Sequence, residues 1–91
     1  MDEIKLLVIH FRSTTPFVIK SPKSHCKEII AQFRKFYLYY SLPEFERDKD
    51  NPPYVLYHLL DEAGDMIAII LFTEVISVCY QDIQEEKGIN A

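Results

Sequence analysis

The side chains of this chain best suited to metal binding or nucleophilic chemistry are His10, His25, Cys26, His58 and Cys79. A zinc site draws four donors together, usually announced by short Cys-x-x-Cys or His-x-x-x-His pairs, and none of these residues stand at such a spacing. Cys26 is the best-placed nucleophile. It falls in the first turn of an expected helix, beside His25 and between Lys23 and Lys27, where the helix N-terminus and the cations favour a thiolate. A thiol enzyme also needs a base and oxyanion donors, and His10 or His58 serves as base only if the fold carries one there. Cys26 also begins the helix's apolar stripe, where a thiol behaves as a small hydrophobe. That reading is preferred, and no enzymatic activity is expected.

The carboxylates form no catalytic pair. Asp61, Glu62 and Asp65 gather in a turn, and Glu44, Glu46, Asp48 and Asp50 alternate with Phe45, Arg47 and Lys49 without the spacing of a calcium loop. The only glycines are Gly64 and Gly88, so there is no phosphate-cradling loop, and no motif calls for a cofactor. One basic ridge stands out. At about 100° per residue, Lys23, Lys27 and Arg34 align along one helix edge, with Lys20 and Arg12 nearby and Tyr39 and Phe17 as stacking surfaces. This makes nucleic-acid association the alternative function. Against it, the ridge is short and the chain carries a net charge of −4.

That charge is unevenly spread. Residues 1–41 carry seven Lys/Arg against three acids, and residues 42–91 carry three against eleven, about +4 and −8. Such halves suit association with oppositely charged surfaces. At 91 residues, 48% hydrophobic and 26% charged, the chain has the composition of one small globular domain. Residues 1–86 are expected to form it, with 87–91 as a flexible tail. Met1-Asp2-Glu3 is not the basic start of a signal peptide, and the run Met66 to Phe72 is far shorter than the ~20 residues that cross a bilayer. A soluble cytoplasmic protein with reduced thiols and no membrane partner is expected.

The elements that position these residues are legible in outline. Ile4 to Phe11 reads as a central strand with Lys5, Leu7, Ile9 and Phe11 on one face, and Phe17 to Lys20 reads as an edge strand after Pro16. Ser21-Pro22 fits an N-cap and first helical residue. A helix should run to about Tyr40, with Cys26, Ile29, Ile30, Phe33, Phe36, Tyr37 and Tyr40 as one core-facing stripe, stopped by Pro43. Glu44 to Pro53 is a polar loop.

The strongest signal is a hairpin from Tyr54 to Phe72, YVLYHLL-DEAGD-MIAIILF, in which both strands are apolar on both faces. Asp61 and Gly64 suit a type I turn with a left-handed glycine. A regular register from Asp61 opposite Asp65 pairs Leu59 with Ile67, Tyr57 with Ile69 and Val55 with Leu71, placing these on the core face. The other face then holds Tyr54, Leu56, His58, Ile70 and Phe72. A last strand, Val75 to Tyr80, follows a break at Thr73-Glu74.

The expected fold is a single α+β domain, a mostly antiparallel sheet of four to five strands with one helix on one face, in the order β-β-α-β-β-β. One helix cannot cover both faces of the hairpin. The expected function is therefore a small protein-interaction module of regulatory, adaptor or inhibitor type, homodimeric through the sheet's apolar reverse face. Tyr54, Leu56, His58, Ile70 and Phe72 are its expected contact residues.

Overall fold

A computed structural model describes residues 3–61 and 63–83. The tail expected at residues 87–91 lies outside the described residues. The chain is α+β, with β1 (Ile4–Phe11), β2 (Phe17–Pro22), α1 (Lys23–Ser41), β3 (Leu56–Leu60), β4 (Met66–Leu71) and β5 (Val75–Gln81). The strands divide into an antiparallel sheet ordered β2-β1-β5 and a separate β3-β4 hairpin.

β1 is central, as its two-sided apolar pattern requires. It pairs Leu7 with Ile19 and with Tyr80, and Ile9 with Phe17 and with Val78. Leu7 and Ile9 are fully buried. Lys5 shares their face at the sheet's end, where its ammonium is hydrogen-bonded to Asp82 and lies 3.1 Å from Glu3. Those two carboxylates, Asp82 foremost, hold the Lys5 pKa above its ordinary value.

Ser21 and Pro22 do not cap the helix as expected. They finish β2, pairing with Lys5 and Ile4, and Pro22 takes the N-cap position without a side-chain bond. The Lys23 N–H instead donates to the Glu3 carbonyl at 2.7 Å, so the residue just before β1 supplies the acceptor that a capping side chain would have offered. At the other end Leu42 is extended ahead of Pro43. Arg47 closes this terminus by donating to the Leu42 and Tyr40 carbonyls at 3.0 and 3.4 Å, a cation at the negative end of the helix dipole.

The turn of the hairpin forms as its residues dictate. The Gly64 N–H donates to the Asp61 carbonyl at 3.0 Å, and Gly64 has φ +92°, which a side chain disfavours. Asp61 Oδ1 accepts from both Ala63 and Asp65 N–H at 2.9 Å. The register beyond the turn differs from a regular hairpin. Leu60 pairs with Met66, but Leu59 pairs with Ala68, so a β-bulge leaves Ile67 without an opposite residue. Tyr57 then pairs with Ile70, His58 with Ile69 and Leu56 with Leu71.

One extra residue exchanges the faces of β4, because side chains alternate along a strand. Ile70, 5% exposed, and Phe72, 1% exposed, therefore point into the core and are not contact residues of an outer face. They join Leu7, Ile9, Cys26, Ile29, Leu59 and Val75 in one cluster drawn from both sheets and the helix. Ile69 and Leu71 face outward instead.

Candidate interaction surfaces

The bulge creates the principal candidate. Leu56, His58, Ile69 and Leu71 are exposed and form two directly opposed pairs on the outer side of the hairpin. Ile67 and Met66, also exposed, extend the apolar surface toward the turn. A two-stranded sheet is marginal alone, and burying its inner face against α1 is what holds it. Of the expected contact residues, the structure thus brings Leu56 and His58 together. Tyr54 precedes β3 and lines a separate groove with Tyr39 and Lys35. Regular alternation puts Ile69 and Leu71 on the inner face, because no sequence signal marks the bulge at Ile67.

His25 tethers the hairpin to α1. The Leu60 N–H donates to its Nε2 at 3.1 Å, which puts the neutral ring's proton on Nδ1, 3.4 Å from the Tyr57 hydroxyl. Protonation would set one N–H against another. Burial lowers the His25 pKa despite the opposing field of Glu28. The unfolded chain therefore takes up this proton first as pH falls, so the tether's stabilisation is complete above about pH 6.5 and declines below it. His25→Leu, which orphans the Leu60 N–H, should cost about 1–3 kcal/mol at pH 8. Urea titrations at pH 8 and 5.5 should show a smaller stability difference between those pH values in the variant than in the native chain.

Cys26 is fully buried in the core, with its thiol 3.7 Å from the Ser21 carbonyl. Cys79 is exposed on β5. A chromogenic disulfide at neutral pH should therefore titrate one thiol quickly in the native protein and the second only on denaturation; fast modification of both would show Cys26 to be accessible. Among the described residues no three His, Cys, Asp or Glu side chains are grouped to hold a metal.

The basic ridge is partly dispersed. The Lys5 ammonium, with a smaller contribution from Lys23, holds the Asp82 carboxyl below its ordinary pKa, while Lys27 and Arg34 line a groove of about 400 Å3 with Lys35, Ile30, Leu38 and Tyr80. The helix stripe is also only partly covered. Cys26 and Ile29 are buried, but Tyr37 and Tyr40 are exposed and not core. With Phe33, Phe36 and Phe72 they line an open aromatic cleft of about 790 Å3. Arg12 at its rim donates to the Thr73 carbonyl at 3.1 Å. The cleft is shaped for an apolar group and offers no convergent set of titratable residues.

No helix among the described residues is long and apolar enough to cross a membrane. The chain matches no protein-family model, and it matches neither a curated protein nor a solved structure. Its class is that of a small α+β domain, and its function must be argued from its own surfaces.

Proposed function

We propose that this chain is a small non-enzymatic protein-interaction module that forms a homodimer through the outer face of the β3-β4 hairpin. The observation that supports this is the pair of opposed contacts Leu56–Leu71 and His58–Ile69, which gives a thin two-stranded sheet a second apolar side facing solvent. Contiguous apolar surface of this kind is characteristic of contact sites, and a twofold axis is the commonest way to cover such a face with a copy of itself. The reading needs no catalytic group. A regulatory, adaptor or inhibitor role in the cytoplasm accords with it.

Light scattering tests the assembly directly. The native chain should have twice its monomer mass at micromolar concentration, and Leu56→Asp with Leu71→Asp should have the monomer mass while retaining native circular dichroism. A monomeric native chain at that concentration would remove the proposal. The alternative, nucleic-acid association through Lys23, Lys27 and Arg34, requires salt-sensitive binding that disappears when all three are replaced.

A further inference from the structure

The two edges of the three-stranded sheet are built differently. β2 carries Lys20 and ends at Pro22, following Pro16, the charge and ring that discourage further strand pairing. β5, Val-Ile-Ser-Val-Cys-Tyr-Gln, has neither proline nor charge over its seven residues. On one side it pairs with β1, and among the described residues no strand pairs with the other. That side presents an open row of backbone donors and acceptors.

Above this edge, α1 presents side chains that β5 covers only in part. Ile30, Arg34 and Leu38 share a groove with Tyr80 of β5, and Tyr37 shares the neighbouring cleft with Val75 and Ile76. Tyr37 and Leu38 are 61% and 53% exposed. An added strand beside β5 would satisfy the backbone row and set its upper side chains beneath the flank of α1 that carries Lys27, Ile30, Arg34 and Leu38. The charge of the groove selects the occupant. Lys27, Arg34 and Lys35 line it, no carboxylate does, and none of the three has an ion-pair partner among the described residues. A second copy is a poor match, since pairing β5 with β5 sets two such basic helix edges side by side, and like charges across an interface oppose association.

We infer that the β5 edge and the basic flank of α1 form a docking site for an acidic, extended peptide segment of another protein, bound as a fourth strand of the sheet. Backbone pairing supplies affinity, and Lys27, Arg34 and Lys35 select carboxylates on the side of the strand facing the helix. This deepens the interaction-module reading by naming a partner class, and it uses a surface separate from the outer hairpin face.

The test is fluorescence anisotropy of the full chain with a labelled ten-residue peptide alternating valine and glutamate. Binding should weaken at least tenfold when every peptide amide is N-methylated, which removes the strand donors of both edges and keeps the charge. It should weaken at least tenfold again in Lys27→Glu/Arg34→Glu, whose folded state is checked by circular dichroism and whose dimer mass should be unchanged. Equal binding of the N-methylated peptide would overturn strand addition. Tighter binding of an oligothymidylate of equal charge would overturn the peptide assignment, as would no binding of the acidic peptide at low salt. A change of mass in the charge-reversed variant would assign this edge to self-association and overturn it as well.

Discussion

Ile70→Asp is expected to abolish cooperative folding, whereas Ile69→Asp, one residue away on the same strand, is expected to leave a folded monomer. Ile70 is buried against the helix and both sheets, and an unpaired carboxylate there costs several kcal/mol, a large part of the about 5–15 kcal/mol that stabilises a domain of this kind. Ile69 is 54% exposed opposite His58, so a carboxylate at that position meets water in the monomer and its like-charged copy across the proposed interface. Thermal circular dichroism and light scattering on the two variants separate the outcomes. The reverse pattern, with Ile69→Asp unfolded and Ile70→Asp native, would mean that the hairpin pairs without the bulge at Ile67.

Phe72→Ala should be the most destabilising truncation of a single ring. Phe72 lies where β4 ends and the chain turns toward β5, with ring centroids 5.5 Å from Phe33, 5.7 Å from Phe36 and 6.3 Å from Tyr57. Its N–H also donates to the Val55 carbonyl at 2.9 Å, extending the hairpin by one bond. Removing a buried phenylalanine ring costs about 3–5 kcal/mol, because the cavity adds to the lost transfer energy. At roughly 4–8 °C per kcal/mol for a domain of this size, the melting temperature should fall by roughly 12 °C or more. Phe72→Leu should recover more than half of that loss in urea titrations. A shift of only a few degrees for Phe72→Ala would place the ring outside the core.

Both experiments turn on β4, where sequence reasoning and structure part company. Met66 to Leu71 is apolar at every position, so either alternating set qualifies for burial. Regular alternation from the turn selects Ile67, Ile69 and Leu71 as inner residues. The bulge at Ile67 selected Ala68, Ile70 and Phe72 instead. β3 was safer: Tyr57 and Leu59 face inward and Leu56 and His58 outward under either register. A strand with one polar face would have declared its register, and this one has none to declare.

The C-terminal half of α1 shows a second limit. A helical stripe identifies which side chains share a face, and Cys26, Ile29, Phe33 and Phe36 do point at the core. It says nothing about how far the opposing sheet extends. Tyr37 and Tyr40 satisfy the period yet remain exposed. Similarly, Cys26 is apolar core by its spacing and a nucleophile candidate by its helix position, and its complete burial favours the first reading.

What the sequence by itself determined is local. The Asp61–Gly64 turn, the helix limit at Pro43, the central position of β1 and the α+β order all follow from backbone preferences and side-chain period, which neighbouring residues specify. The tertiary structure alone decided which apolar residues stay outside. Whether Ile69 or Ile70 is buried depends on where α1 and the two sheets meet, and whether Tyr37 is covered depends on how the cleft between α1, the hairpin and β5 closes. Apolar surface is nondirectional in its attraction, so the pattern that drives burial cannot also say which of two equivalent faces is left for a partner.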